Sequence, residues 1–411
     1  MYSKTVAIQD KKGTSKVLKK WTVNDFPVGV YQLNHDQSVN FQMNRFFNWS
    51  NDREMLTQMK GLENDQQTNS LLVKEFKDLG QRALEDKKSL RAAMFFRAAS
   101  FYMPFDDSEQ LKLRRRFISL NNDYYGVNEK QHFLIPYKTG HISAYRLQPL
   151  SSRGTILFIN GFDGYIEEVT RMMMVFRDAG YEVIYFDGPG QGYSLDEEYL
   201  PMTHQWEKPV KTVLDYFDIK EATAIGMSLG GNLVLRAGAY QKRIKHIICY
   251  DIFPDFFDCL VNQLPAELKE HFSREAIKPA NRNEINRVAG NLMSSNLMLQ
   301  WAFSQGMKVM GVKTPFDFIQ CTLKYTTNDI SRLVTQDVLL LAGETDHYVA
   351  NDQLPLQIGT LSQVKSLTAR RFTKSEFASS HCQLGNVGLA LKTMLNWLDQ
   401  IEDKEDLLKK S

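Results

Sequence analysis

The sequence predicts an α/β protein whose mostly parallel sheet is covered by helices on both faces and preceded by a helical domain. Three observations predict this class. Short apolar runs such as Thr155–Ile159 alternate with helical patterns between residues 154 and 250, as is typical of buried parallel strands. Residues 25–127 show apolar residues at helical spacing and few strand signals. Two further strand patterns follow only after residues 253–334, which are again helical in character.

Composition narrows the classes of function. The 411 residues include 50 lysines and arginines against 48 acidic residues, and the net charge of +2 gives no reason to expect a nucleic-acid partner. No run of about 18 apolar residues is present, so we expect no membrane span. The four cysteines lack C-x-x-C spacing, which argues against a metal site and suits a reducing, cytoplasmic location. We expect no cofactor either.

The first part of the chain divides into a tail and a helical domain. Residues 1–24 are lysine-rich and lack the apolar segment of a secretion signal, so we predict a basic, solvated tail. Residues 25–127 form the predicted N-terminal helical domain, hereafter the helical domain. Its predicted helices are Phe46–Met59, Leu71–Ala83, Ser89–Phe101 and Asp107–Leu120.

The predicted core comprises residues 128–252 and 335–411. It begins with a pair of strands and continues as a βα series. The predicted strands are His132–Pro136, His141–Leu147, Gly154–Asn160, Tyr181–Phe186, Glu221–Ile225, Lys245–Tyr250, Asp337–Ala342 and Ser366–Phe372; the helices are Glu167–Ala179, Gln205–Phe217, Asn232–Tyr240 and Val387–Glu402.

Residues 253–334, hereafter the insert, interrupt the core between two strands. This segment is too long for a plain loop and must have structure of its own. An insertion at this point would lie at the carboxyl ends of the strands, where ligands bind in open α/β sheets. We therefore predict that the insert is a helical lid.

Gly226–Gly230 is the most informative short run. Its order, Gly-Met-Ser-Leu-Gly, fits the G-x-S-x-G nucleophile elbow between a strand and a helix. A serine on so sharp a turn requires near-absent side chains two positions away on either side, which explains the glycines. The candidate nucleophile is Ser228.

A serine nucleophile needs a base and a group that orients the base, in the chain order Ser, Asp or Glu, His. Asp346 follows the first strand after the insert, and Glu344 in the same turn is the alternative acid. His381 lies in a small-residue loop before the last helix and is the predicted base. His347 adjoins Asp346 in sequence, which makes a base–acid pair between them awkward.

Two glycine-rich loops complete the candidate site. Asn160–Gly164, hereafter the oxyanion loop, follows a buried strand, and the amides of Phe162 and Leu229 are the predicted oxyanion donors. Asp187–Gly192 does not match the dinucleotide-binding G-x-G-x-x-G pattern. We predict that it is a tight turn lining one wall of the cleft.

These motifs together resemble the α/β-hydrolases with an N-terminal helical domain. That group includes the fermentation-respiration switch protein, 2,6-dihydroxypseudooxynicotine hydrolase and the fungal polyketide-shortening hydrolases. The resemblance covers about residues 30–400 and rests on Ile159–Gly164, Phe186–Gly192, Gly226–Gly231 and Ser380–Gln383.

The resemblance implies an α/β-hydrolase fold with a triad of Ser228, Asp346 and His381. Some members cleave a carbon–carbon bond next to a ketone and use an additional acid in the pocket. Asp251, at the end of a core strand, is a candidate counterpart, as are Glu167 and Glu168.

The predicted function is that of a serine hydrolase acting on a small carbonyl compound, an ester or thioester, through an acyl-enzyme. The first alternative is carbon–carbon cleavage of a β-diketone-like or polyketide compound. The second is a binding or regulatory member of the fold without turnover. The insert is rich in methionine and aromatic residues, which favours an apolar or aromatic substrate, although such residues also form lid cores. A homodimer is compatible with the sequence.

Overall fold

The computed structural model describes residues 6–9, 15–62, 68–104 and 107–409. Two short strands, β1 (Val6–Gln9) and β2 (Ser15–Leu18), pair antiparallel near the N-terminus. The prediction of a basic, solvated tail over residues 1–24 did not include this pairing, and residues 1–5 and 10–14 of that tail lie outside the described residues.

In the described residues, five α-helices precede the main sheet. They are α1 (Gln37–Ser50), α2 (Glu54–Lys60), α3 (Asn69–Glu85), α4 (Ser89–Tyr102) and α5 (Ser108–Tyr125). The single helix predicted over Phe46–Met59 is wrong, because α1 and α2 are separate. The Asp36 side chain accepts hydrogen bonds from the amides of Ser38 and Val39 and starts α1 earlier, while Asn51 ends it at a φ of 53°.

The core is one eight-stranded sheet. Its strands are β3 (His132–Tyr137), β4 (Gly140–Leu147), β5 (Thr155–Ile159), β6 (Glu182–Asp187), β7 (Ala222–Met227), β8 (Ile244–Tyr250), β9 (Asp337–Gly343) and β10 (Ser366–Phe372), in the spatial order β10-β9-β8-β7-β5-β6-β4-β3. Strands β3 and β4 run antiparallel to their neighbours, and the other pairs are parallel. The predicted class, a mostly parallel sheet with a helical N-terminal region, is confirmed.

Helices cover both faces of the sheet. They are α6 (Thr170–Asp178), α7 (Gly192–Asp196), α8 (Glu207–Tyr216), α9 (Leu229–Tyr240), and, after the insert, two further helices that span Gln353–Thr360 and Val387–Lys409. Two short ones, α7 and Gln353–Thr360, were not predicted, because five and eight residues carry too little periodicity.

The insert contains α10 (Phe256–Asn262), α11 (Arg282–Ser295), α12 (Leu297–Met310) and α13 (Pro315–Thr322), with a 3₁₀ segment at Ala266–Phe272. The helices after it are therefore α14 (Gln353–Thr360) and α15 (Val387–Lys409). The insert touches the helical domain, since Trp301 stacks on Phe101 at 4.6 Å and its indole N–H donates to the Phe101 carbonyl at 3.1 Å.

Two apolar clusters hold these parts together. One joins the helical domain, α6 and α15 to one face of the sheet, and the other joins α8, α9 and the insert to the opposite face. Among the helices that the structure describes, none is long and apolar enough to cross a membrane. The strand ends that carry the candidate site therefore lie between the helical domain and the insert.

Candidate active site

Ser228 occupies the turn between β7 and α9. Its φ of 58° and ψ of −126° are rarely adopted by residues other than glycine. The turn is held by a hydrogen bond from the Ser228 amide to the Tyr250 carbonyl at 2.8 Å. A Cβ on Gly226 would lie 1.9 Å from the Gly230 carbonyl oxygen. The two glycines flanking Ser228 are thus required by close backbone contact, as the motif predicts.

Three predicted residues meet in one hydrogen-bonded chain. His381 Nε2 lies 2.8 Å from Ser228 Oγ, and His381 Nδ1 lies 2.6 Å from Asp346 Oδ2. The other oxygen of Asp346 accepts from the amides of Tyr348 and Val349 at 2.8 and 3.0 Å. Loops after β7, β9 and β10 each supply one member, so the parallel sheet brings together residues that are 153 and 35 positions apart.

The alternative acid and the second histidine are not members of this hydrogen-bonded chain, although the His347 ring lies 6.4 Å from that of His381. Glu344 accepts from the Lys374 amide at 2.9 Å and faces Arg371, on the outer side of the turn. His347 is packed edge-on against Phe41, with ring centroids 4.6 Å apart. Burial lowers the pKa of His347 to about 4, so its ring is neutral near pH 7.

The charge states of His381 and Asp346 follow from their burial and from their pairing with each other. Burial disfavours the charged imidazole, but the Asp346 carboxylate outweighs it and raises the pKa of His381 well above its usual value. Burial likewise opposes ionisation of Asp346, yet His381 holds the pKa of this carboxyl below its usual range. Asp346 is therefore a carboxylate wherever His381 can act.

A raised histidine pKa has a consequence for pH dependence. Only the neutral imidazole can accept a proton, so activity should rise as the pH rises through the pKa of His381. We expect the acidic limb of kcat/KM to lie above about 6.5, the value of an unperturbed histidine. A pH profile of ester hydrolysis measures this limb, and a midpoint below 6 would contradict the assignment of His381.

The two predicted amide donors belong to segments that meet at Ser228: Leu229 follows it in the chain, and Phe162 follows Gly161, which packs against it. Leu229 is the first residue of α9, where a backbone N–H has no acceptor within the helix. Gln191 Nε2 donates to the carbonyls of Asn160 and Gly161 at 2.7 and 2.8 Å. Because C=O and N–H point in opposite directions across a trans peptide, this directs the Phe162 amide away from Gln191. A side chain on Gly161 would meet Ser228 Cβ at 2.9 Å.

Gln191 is a site residue that the sequence analysis missed. The prediction that Asp187–Gly192 lines one wall of the cleft is wrong. This loop lies behind the oxyanion loop, where Gln191 is buried. Gly190 and Gly192 line a smaller, polar cavity instead. The sequence feature that could have indicated this role is the amide side chain of Gln191, which stands within a glycine-rich run.

A cavity of about 1160 Å³, counting the part open to solvent, reaches Ser228 and His381. Its wall comes from three parts of the chain and is mostly apolar. The helical domain contributes Phe41, Arg45 and Trp49; the insert contributes Phe256, Leu260, Leu299, Trp301 and Phe318; the core contributes Phe162, Met227, Tyr348 and Leu384. An apolar cleft with a few convergent polar groups is typical of small-molecule sites.

Asp251 lies behind the triad and is fully buried. Its carboxylate accepts from the Cys382 amide at 3.0 Å and from the Gln383 side chain at 3.1 Å. Cys382 and Gln383 have positive φ values of 51° and 47°. Burial, then the neighbouring Asp346, raise the pKa of Asp251 well above its usual value. These contacts stabilise the backbone after His381.

The other candidate acids, Glu167 and Glu168, have different surroundings. Glu168 borders the cavity and is ion-paired with Arg45 and Arg97 at 2.9 and 2.6 Å. Glu167 is buried, accepts from the Tyr145 hydroxyl at 3.1 Å, and has its pKa raised by burial.

One group of side chains has the composition of a metal site. The ligand atoms of Asp251, Asp346 and His381 lie within 4.8 Å of one another. Both ring nitrogens of His381 already have partners, Asp346 and Ser228, so an acid–base network accounts for the grouping.

Comparison with known proteins agrees with this architecture. Residues 154–381 match the model of the alpha/beta hydrolase fold, which is more than half of the 411-residue chain. The hydrolase LUC6 of Fusarium sp is 26% identical over 288 residues, covering 65% of this chain and 68% of LUC6. The hydrolyase poxO of Penicillium oxalicum is 24% identical over 363 residues, covering 79% and 85%.

Among solved structures, 2,6-dihydroxy-pseudo-oxynicotine hydrolase has a similar fold. Its TM-score is 0.57 at 17% sequence identity, and the match covers 86% of this chain and 94% of that chain. At this identity the likeness concerns the fold alone. The matched family model, together with the observed sheet and its helical N-terminal region, gives the conclusion: the chain belongs to the α/β-hydrolase family and is an enzyme of the hydrolase type.

Proposed function

We propose that the protein is a serine hydrolase that cleaves a small, neutral carbonyl compound, an ester or thioester, through an acyl-enzyme. The observation that carries this proposal is the chain of hydrogen bonds Ser228–His381–Asp346, at 2.8 and 2.6 Å, beside an apolar cavity. A nucleophile, a base and a group that orients the base are the minimum for acyl transfer to a serine.

In the first step, Ser228 Oγ attacks the substrate carbonyl carbon and His381 Nε2 takes the hydroxyl proton. Asp346 accepts the hydrogen bond of Nδ1–H, which fixes the tautomer and stabilises the imidazolium. The amides of Phe162 and Leu229 receive the developing oxyanion, each worth about 3 kcal/mol of transition-state stabilisation.

In the second step, the tetrahedral intermediate collapses and His381 returns its proton to the leaving alcohol or thiol. Water then attacks the acyl-enzyme, with neutral His381 accepting one proton of that water. The second tetrahedral intermediate then collapses, His381 gives that proton to Ser228 Oγ, and the acid product leaves. These reaction steps balance in atoms and protons without any further group.

The cavity wall supports the substrate class. Its contacts are mainly aromatic and aliphatic. The ionisable side chains Arg45, Asp163 and Glu168 on this wall are paired with one another, and His381 is paired with Asp346. An unpaired charge on the substrate would find no counter-charge in this part of the described wall and would lose its hydration. We therefore propose an apolar or aromatic acyl group.

Carbon–carbon cleavage is the alternative reaction for the same nucleophile. It would need a proton for the departing carbanion, and His381 in its charged form is positioned to supply one. Hydrolysis of a synthetic β-diketone without turnover of p-nitrophenyl esters would favour this alternative. The second alternative, a binding or regulatory member of the fold without turnover, is disfavoured because it gives no physical reason for a strained serine turn.

Fluorophosphonate labelling tests the nucleophile and its base. The wild-type protein should become labelled, while His381→Ala should slow labelling by at least about 100-fold because the base is lost. His271, half-exposed on the insert, provides a control, and His271→Ala should label at the wild-type rate. An unchanged rate in His381→Ala would remove His381 as the base.

Location and assembly are also proposals. We propose a cytoplasmic enzyme, since the cysteines Cys249, Cys259, Cys321 and Cys382 are free thiols, as a reducing compartment would keep them. A homodimer is the assembly to test first by light scattering.

A further inference from the structure

An acidic residue stands directly after a predicted oxyanion donor. Asp163 follows Phe162 in the oxyanion loop, and both residues border the cavity. About a quarter of the Asp163 side chain, 24%, is exposed. A fixed negative charge here would oppose the negative charge that develops on the substrate oxygen. The loop therefore needs a compensating cation.

That cation comes from the helical domain. Arg45, on α1, places Nη1 at 2.7 Å from Asp163 Oδ2. Its Nε and Nη2 donate to one oxygen of Glu168 at 3.1 and 2.9 Å, and Nη1 also donates to Gln42. The Arg45 side chain is only 13% exposed, so solvent screens these contacts weakly.

A second arginine fixes the backbone of the same segment. Arg97, on α4, donates from Nη2 to the Asp163 carbonyl at 2.8 Å and from Nε to the other oxygen of Glu168 at 2.6 Å. That Glu168 oxygen also accepts from the Tyr165 amide at 3.0 Å. The segment from Asp163 to Glu168 is thus held by two arginines from two helices of another part of the chain.

The charges of this cluster balance, with two arginines against two carboxylates. Burial opposes ionisation of Asp163, but Arg45 and then Arg97 hold the pKa of this carboxyl below its usual range. Asp163 is therefore negative at neutral pH. Loss of Arg45 would leave one uncompensated negative charge beside the oxyanion donor.

We propose that Arg45 is a positioning residue that neutralises Asp163 and fixes the oxyanion loop, so that the helical domain completes the oxyanion hole. This inference rests on the proposed serine-hydrolase function. It places the effect of Arg45 in the transition state, where the oxyanion exists, rather than in substrate binding. Arg45 acts through Asp163 and is not itself a catalytic residue.

A double-mutant cycle tests the charge argument. Arg45→Gln should lower kcat by about 30-fold while KM changes less than about threefold, because the missing cation matters only when the oxyanion forms. A trifluoromethyl ketone, which forms an oxyanion on Ser228, should bind weaker by a similar factor. In the Asp163→Asn background the same arginine substitution should cost less than about threefold, since the remaining Arg97 and Glu168 still balance.

Two further variants separate charge from packing. Arg45→Lys keeps the positive charge but loses the planar guanidinium group that donates to both Asp163 and Glu168. Its kcat should therefore lie between those of the wild type and Arg45→Gln. Arg91 is the matched control, a buried arginine of α4 paired with Asp52 and Glu54 at 2.7 and 2.5 Å. Arg91→Gln should lower thermal stability without lowering kcat of the folded fraction.

The outcomes distinguish the inference from the function on which it rests. An Arg45→Gln variant with wild-type kcat, or one whose loss is as large in the Asp163→Asn background, overturns the inference and leaves the proposed function intact. A Ser228→Ala variant that still hydrolyses the ester overturns the proposed function instead. If Arg45→Gln does not fold, Arg45→Lys and the Arg45→Gln/Asp163→Asn double variant decide by the same kcat and inhibitor comparisons.

Discussion

Ser228→Ala should reduce kcat for an apolar p-nitrophenyl ester by about 10⁶-fold, to near the background rate. The hydroxyl is the only group of the Ser228 side chain that takes part in the proposed reaction, and alanine removes it without adding volume. The turn should persist, because the required close contacts are made by Gly226 and Gly230. The melting temperature should therefore change little, which separates loss of chemistry from loss of fold.

A surface serine provides the control for this variant. Ser152 lies in an exposed loop, where its hydroxyl donates to the Gly154 carbonyl at 3.0 Å. Ser152→Ala should keep the wild-type kcat. If Ser228→Ala retained more than about a tenth of wild-type activity, no triad mechanism with this nucleophile could hold.

Asp346→Asn should lower kcat by about 10⁴-fold, the second-largest effect that we expect. The asparagine can keep an oxygen for the amides of Tyr348 and Val349, so the loop should hold its shape. Its NH₂ group, however, favours the histidine tautomer that cannot accept the Ser228 proton. The lost negative charge also removes what stabilises the imidazolium, and steady-state kinetics measure both losses together.

Glu344 supplies a matched control two residues away in the same turn. It carries the same charge but bonds to the Lys374 amide on the outer side of the turn. Glu344→Gln should change kcat less than about twofold, as is usual for a surface substitution away from a site. A larger loss in Glu344→Gln than in Asp346→Asn would reverse the assignment of the acid.

Much of the candidate site could be predicted from the sequence because its parts follow local rules. The strand, tight turn and helix around Ser228 require glycines at fixed positions, and such a pattern is visible in one short run. Asp346 and His381 follow strands, and parallel strands bring their carboxyl ends to one edge. Chain order then selected His381 from eight histidines and narrowed the acid to Asp346 or Glu344 in one turn.

What could not be predicted depends on contacts between distant segments. Arg45 and Asp163 are 118 positions apart, and no sequence pattern indicates that the two side chains are paired. Gln191 supports the oxyanion loop from 30 or 31 positions away. The start of α1 was misplaced because apolar and polar residues alternate from Val39 to Asn44, as is typical of a strand, and because the helix depends on the cap at Asp36. Tertiary packing decides such cases.

The site of covalent attachment tests the central claim most directly. After fluorophosphonate labelling, trypsin should release the fragment Glu221–Arg236, in which Ser228 is the only serine. We predict that mass spectrometry will find the phosphonyl group on this fragment, at Ser228, with one group per chain. An adduct on any other fragment, or a folded and unlabelled wild-type protein, would contradict the account.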